Sequence, residues 1–192
     1  MFGGTFNPIH SEHKKLIKHL SSLEYLDKVL VMPTHIPPHK TADFLADDIH
    51  RLNMCRIAVG NTEKVSVSDF EINRKGKSYT FYTVEALKKE YPRDELFVVC
   101  GGDMAITLAS WHRFDELKKM CTFLVVDRPG TDKQKLREYI DALILNGAKI
   151  RYTECVTQDV SSTNIRENIE HSKFIPKEVY AYIKEHGLYE TK

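Results

Sequence analysis

The stretch Gly3-Gly4-Thr5-Phe6-Asn7-Pro8-Ile9-His10-Ser11-Glu12-His13 constrains this chain more than any other. It reads as a glycine-rich turn that opens a helix. Main-chain N–H groups in such a turn can point at an oxyanion, and the unpaired N–H groups of a helix's first turn add partial positive charge behind it. His10 and His13 are three residues apart, so their imidazoles share a face and can donate to the same phosphate chain. Leu16, Ile17, Leu20 and Leu23 then make one apolar stripe, with Lys14, Lys15 and Lys18 off it. Taken alone, the same residues also fit plain punctuation ahead of an amphipathic helix.

Composition narrows the class. With 192 residues, 42% hydrophobic and 29% charged, the chain is expected to form one domain over 1–192, with a C-terminal helical portion from about residue 162. A net charge of +1 gives no global electrostatic reason to expect nucleic acid or an anionic membrane as partner. Cys55, Cys100, Cys121 and Cys155 contain no Cys-x-x-Cys pair and read as buried free thiols in a reducing compartment. No apolar run reaches the roughly 18 residues a membrane span needs, and no charged-then-apolar leader opens the chain, so a cytoplasmic protein is expected.

Along the chain, Lys28-Val29-Leu30-Val31-Met32 reads as a buried parallel strand, followed over 33–40 by a proline-stiffened loop. Ligands of open α/β sheets sit at that end of a strand. A helix starts at Asp47 or Asp48 and stops at Gly60; Val65 opens a strand that alternates through Ser68 and continues over 69–72. Ser78-Tyr79-Thr80 introduces a helix to about Tyr91. Leu96-Phe97-Val98-Val99-Cys100 is a buried strand running into Gly101-Gly102-Asp103, short helices flank Trp111, and Thr122-Phe123-Leu124-Val125-Val126 is a further strand. Helical patterns over 133–145, 162–170 and 176–186, with a short strand over 150–152, complete an alternation that predicts a parallel sheet covered on both faces.

Gly3 to His13 resembles the first motif of the nucleotidyltransferase superfamily with the signature His-x-Gly-His, here His-Ser-Glu-His. Four further segments are similar to its bacterial nicotinate mononucleotide adenylyltransferase branch: the loop ending Pro37-Pro38-His39-Lys40, Ser78-Tyr79-Thr80, Gly101-Gly102-Asp103 followed by Trp111, and Ser161-Ser162-Thr163-Asn164-Ile165-Arg166. The C-terminal Gly187-Leu188-Tyr189 is also similar. The resemblance implies a Rossmann-like α/β fold and transfer of AMP from ATP to nicotinate mononucleotide, with Mg2+ accompanying ATP. With the charge balance above, no nucleic-acid or membrane partner is expected, and a homo-oligomer is left open.

By the same resemblance, His10, His13 and Arg166 would be catalytic. Gly4, Thr5, Phe6, His13, Gly101, Asp103, Ser162, Thr163 and Arg166 would bind ATP, Thr5 and Phe6 through their main chain. Lys40, Tyr79, Thr80 and Trp111 would bind nicotinate mononucleotide, with the Trp111 ring on the pyridine. The residues alone leave simpler readings open: an N-cap for 161–163, a turn aspartate for Asp103, a core ring for Trp111 and a solvated loop lysine for Lys40. Arg166 argues for more, because a guanidinium near a helix N-terminus opposes the dipole unless an anion is present.

Two departures from the family pattern carry expectations. Glu12 stands where the family has glycine, adding bulk and negative charge near the phosphates unless its side chain turns outward. Met1 and Phe2 furnish only the last rung of the family's first strand, which points to a start upstream. The competing functions are a relative using nicotinamide mononucleotide, a non-catalytic nucleotide-binding homologue, and a metal hydrolase built on His10 and His13 or on His35 and His39; zinc-site spacing disfavours the last.

Overall fold

A computed structural model describes residues 1–37, 45–127, 132–158 and 160–189. The chain divides into two compact units, one of residues 3–76 and 160–192, the other of residues 1–2 and 77–159.

In the first unit, α1 (Ser11–Ser22) follows the loop after β1 (Phe2–Gly4) and buries Leu16, Ile17 and Leu20 of the stripe read from the sequence, whereas Leu23 lies just past the end of the helix and is half-buried. β2 (Val29–Pro33) pairs in parallel with β3 (Val65–Val67), Val29 opposite Val65 and Val31 opposite Val67, in a sheet of order β1-β2-β3. Between them α2 (Asp48–Val59) ends on Gly60, whose φ of +53° is the left-handed geometry that favours glycine at a helix stop. After 160 come α8 (Ser162–Glu167) and α9 (Lys177–Glu185), the latter burying Val179 and Ile183.

The fold departs from the sequence pattern in two places. Residues 69–72 do not prolong β3: the Ser68 main chain makes its last ladder bond to Val31, its hydroxyl accepts from the Phe70 amide, and the chain coils into α3 (Phe70–Arg74). Ser and Asp compete with strand ladders in this way and start helices instead. Gly3 and Gly4, read as the turn, belong to β1, with the Gly4 carbonyl accepting from Thr34 N at 2.9 Å; the turn lies beyond them.

In the second unit, β4 (Phe97–Gly101), β5 (Thr122–Asp127) and β6 (Lys149–Glu154) form a parallel sheet of that order, with Phe97 opposite Thr122 and Thr122 opposite Lys149. Its helices are α4 (Thr80–Glu90), α5 (Gly102–Ala105), α6 (Phe114–Met120) and α7 (Lys133–Leu145). Val98, Phe123, Val125, Leu117 and Leu136 lie in one buried cluster with Phe81 and Val84 of α4. Asp132 caps α7 by accepting from the amides of Gln134 and Lys135. All four cysteines are buried, and burial pushes the Cys100 and Cys121 thiols up to about 12, so they stay protonated at neutral pH.

The feature with most leverage in the first unit is a fully buried guanidinium on α2. Arg51 donates from Nε to the Ala46 carbonyl (3.0 Å), from Nη1 to those of Thr5 (2.9 Å) and Thr34 (2.6 Å), and from Nη2 to His35 O (3.2 Å) and the Asp48 carboxylate. One side chain thus ties the loop after β1, the chain leaving β2 and the approach to α2. Arg51→Met, matching the stem but deleting five donors, is expected to cost about 3–5 kcal/mol of unfolding free energy by chemical denaturation, because several buried acceptors and a carboxylate lose their partner together. A loss below about 1 kcal/mol would mean water or neighbours replace it readily.

Candidate nucleotide-phosphate site

The loop between β1 and α1 is built by three successive steric decisions. Phe6 takes φ +47°, a left-handed conformation that a bulky residue adopts only under constraint, and its ring is 2% exposed. A Cβ at position 4 would lie 2.9 Å from that ring, so the ring sits where only glycine leaves room. The ring in turn packs T-shaped against His13, with centroids 5.1 Å apart and planes at 80°.

The two histidines expected on one face are in contact. His10 is the residue before α1 and His13 lies within its first turn; their rings stack with centroids 3.7 Å apart and 25° between planes. His13 Nδ1 accepts from the His10 main-chain N at 3.3 Å, which places the proton of a neutral His13 on Nε2 and makes that atom a donor. His10 is buried and His13 half-buried.

Glu12 does not turn out into solvent. It is 5% exposed, and its carboxylate accepts from Lys15 Nζ at 2.8 Å and from Ser11 Oγ at 3.5 Å. Its charge is therefore balanced within its own helix turn.

The far segment of the unit closes on the same loop. Ser161 caps α8 through its hydroxyl, which accepts from Asn164 N, so the plain cap reading holds for that residue. Ser162 Oγ donates to the Pro8 carbonyl at 3.0 Å, and Arg166 Nη1 to the Asn7 carbonyl at 2.7 Å, with Nη2 3.4 Å from Thr163 Oγ1. The dipole argument for Arg166 does not hold: α8 has six residues and Arg166 lies in its last turn, where a cation is favourable. What the structure brings together is Thr5, Phe6, His10, His13, Ser162 and Arg166 around residues 5–10; Lys40 lies outside the described residues.

The second unit holds the other expected residues. Tyr79 is the residue before α4 and Thr80 its first; the Tyr79 ring lies 4.5 Å from that of His112, whose Nε2 is 3.3 Å from Tyr82 Oη. Gly101 ends β4, and exposed Asp103 sits in the first turn of α5. Trp111 is half-buried, edge-on to Phe123 at 6.3 Å, with its indole N–H 3.4 Å from Thr107 Oγ1. It serves the core with one edge and keeps part of its surface in solvent.

Arg51 and His112 were not singled out in the sequence, and Asn7 and Tyr189 stood there only inside family-like stretches, with no role of their own. Arg51 did carry a local signal: a cation in the first turn of α2, three residues after Asp48, is unfavourable unless something pairs it. Among the described residues no group of three or more His, Cys, Asp and Glu side chains could hold a metal ion, and no helix is long and apolar enough to cross a membrane.

Residues 1–168 match the cytidylyltransferase-like family. The chain is 38% identical over 195 residues to a probable nicotinate-nucleotide adenylyltransferase of Bacillus pumilus and 35% identical over 195 residues to the nicotinate-nucleotide adenylyltransferase of Bacillus subtilis. Each alignment covers 100% of this chain and 97% of the relative. Among solved structures, nicotinic acid mononucleotide adenylyltransferase of Plasmodium falciparum complexed with NaAD matches with a TM-score of 0.80 at 20% identity, covering 98% of this chain and 95% of that one. The same enzyme complexed with APC matches with a TM-score of 0.79 at 19% identity, covering 98% and 94%. The Rossmann-like α/β reading is thereby borne out, and the chain belongs to the cytidylyltransferase-like family, among the nicotinate-nucleotide adenylyltransferases.

Proposed function

We propose that the chain transfers AMP from ATP to nicotinate mononucleotide, giving nicotinate adenine dinucleotide and pyrophosphate. The observation that carries this reading is the stacked His10–His13 pair on the loop that Gly4, Phe6 and Arg51 hold in one conformation. A phosphate oxygen of the acceptor attacks the α-phosphorus of ATP in line, the new P–O bond forms, and the bond to the bridging oxygen breaks with pyrophosphate taking its electrons. No covalent enzyme intermediate and no strong base are needed, since the attacking phosphate is already ionised near neutral pH.

The protein's task is then positioning and charge stabilisation. His10, the Nε2 proton of His13, and the amides of Thr5 and Phe6 serve as donors to the ATP phosphates. Arg166 spends two of its N–H groups on Asn7 and Thr163, and a guanidinium has five, so it can reach a phosphate while anchored. Ser162 and Thr163 act beside it. Gly101 and Asp103 are assigned to the ATP side, where the carboxylate accepts from ribose hydroxyls. Tyr79, Thr80 and the exposed part of Trp111 are assigned to the pyridine, and Lys40 to the acceptor phosphate.

Magnesium fits as an ion that ATP brings with it. That cation keeps several waters and binds mainly through substrate phosphates, which agrees with a donor set of imidazole, guanidinium and hydroxyl groups. It would supply charge neutralisation on the leaving pyrophosphate.

Three outcomes test this reading. Pyrophosphate release from ATP and magnesium is expected to be much faster with nicotinate mononucleotide than with nicotinamide mononucleotide; preference for the amide would reject the assignment of Thr80, and no turnover with either would favour a non-catalytic binding role. His13→Ala is expected to lower kcat by about 100-fold, the scale for losing one preorganised donor, and a drop under threefold would remove it from the reacting phosphates. Glu12→Gly is expected to change KM for ATP by less than about threefold, because Lys15 already balances that charge, while lowering the thermal midpoint by about 2–4 °C through a glycine cost of about 1 kcal/mol in the helix. A tenfold or larger gain in ATP affinity would show that the carboxylate repels the nucleotide.

A further inference from the structure

Asn7 is 2% exposed and lies in the middle of the loop assigned to phosphate binding. Its carbonyl accepts from Arg166, and its side-chain Oδ1 accepts from two distant groups, the Ala46 amide at 3.1 Å and the phenol of Tyr189 at 2.7 Å. Tyr189 lies 182 residues further along the chain, after α9, and sits at φ +64°. A tyrosine in the left-handed region costs about 1–2 kcal/mol, so its placement requires something that holds it there. The hydrogen bond to Asn7 and the partial burial of the residue supply that hold. Burial pushes the phenol well above its ordinary value, with nearby Arg166 and Arg51 opposing in part, so the hydroxyl keeps its proton and donates.

The preceding turn is itself fixed. The Leu188 amide donates to Ile183 O at 3.0 Å and the Gly187 amide to Lys184 O at 3.3 Å, so Tyr189 is delivered by the end of α9. Tyr182 ties α9 to α2 by accepting from Asn53 Nδ2 at 3.1 Å and contacting His50 Nδ1 at 3.0 Å. Helix α9 thus stands on α2, which also carries Arg51. The loop at residues 5–7 is gripped by Arg51 through Thr5 O and by Tyr189 through Asn7 Oδ1, two groups brought from unconnected parts of the sequence.

We propose that Tyr189 is a positioning residue for the nucleotide: through Asn7 it holds the loop amides and the His10–His13 pair in the arrangement that receives the ATP phosphates. The hydroxyl touches no substrate. Its contribution is preorganisation, so its loss falls on ATP affinity before it falls on the chemical step. The proposal rests on the adenylyltransferase reading for its effect on ATP, and on geometry alone for its effect on the loop.

The test compares Tyr189→Phe with Tyr180→Phe, each removing one hydroxyl from the same C-terminal segment, in the full chain; Tyr180 lies on α9 away from the Asn7 contact and from the hydroxyl that ties α9 to α2. Amide hydrogen exchange is followed in peptides covering residues 5–10, together with KM for ATP and kcat. Tyr189→Phe is expected to speed exchange in that loop several-fold and to raise KM for ATP about 3- to 10-fold, the scale of one hydrogen bond, with kcat within twofold. Tyr180→Phe is expected to leave exchange of the loop unchanged. Unaltered loop exchange in Tyr189→Phe would overturn the proposal whether or not the protein turns over. Faster loop exchange with unchanged KM for ATP would overturn the positioning role, and faster exchange in both variants would reduce Tyr189 to general stability. Absence of turnover in the unaltered chain would instead reject the adenylyltransferase reading, while the exchange data still decide whether Tyr189 holds the loop.

Discussion

The first unit depends on how the buried charge of Arg51 is satisfied. Moving a cation out of water costs several kcal/mol even after relaxation, so it is tolerated only with near-complete compensation. Here every N–H has an acceptor: four main-chain carbonyls and the Asp48 carboxylate. Those carbonyls belong to loops leaving β1 and β2 and to the approach to α2, where parallel strands end and no ladder partner remains. A planar fork of five donors answers several such carbonyls at once, which a lysine could not do. Asp48 also meets His35 Nδ1, so one carboxylate links α2 to the loop after β2.

With that loop tied down, its local strain becomes affordable. A left-handed Phe6 costs about 1–2 kcal/mol, whereas burying a phenylalanine ring returns about 2–3 kcal/mol. Burial wins, but only if position 4 leaves the ring its place, and this ties Gly4 to the histidines: the ring that glycine admits is the ring that packs T-shaped against His13. A side chain at position 4 would act on the histidine pair two contacts away without touching a phosphate itself.

The elements were legible where one periodicity ran without competition. The stripe Leu16, Ile17 and Leu20, the run that became β4 and the boundaries of α7 required nothing beyond sequence pattern. The pattern failed at 69–72, where alternation persisted past the last ladder bond and Ser68 ended the strand with its own hydroxyl. In the site, residue types and their order were legible through family resemblance, but their partners were not. Ser162 meets Pro8 across 154 positions and Tyr189 meets Asn7 across 182, and no local spacing encodes such pairs. Arg166 does not oppose the α8 dipole, because the helix that forms has six residues in place of the longer one its pattern suggests and the guanidinium falls in its last turn.

Glu12 shows the limit of reading charge from residue identity. On the sequence it is an anion in the first turn beside a phosphate loop, and a bare unit charge about 5 Å from a phosphate would cost about 3 kcal/mol at an effective dielectric of 20. In the fold its carboxylate lies 2.8 Å from the Lys15 ammonium, and a neighbouring phosphate feels a small dipole instead of a full charge. A dipole's field falls faster with distance than a charge's, so the pair can be nearly silent at the phosphate even though the carboxylate is buried. Lys15 is itself half exposed, which lets it reorient towards an arriving polyanion while its stem keeps the pair in reach. The substitution thus exchanges the bare helix surface of a glycine for a compensated ion pair, and bulk, more than charge, is the constraint it leaves.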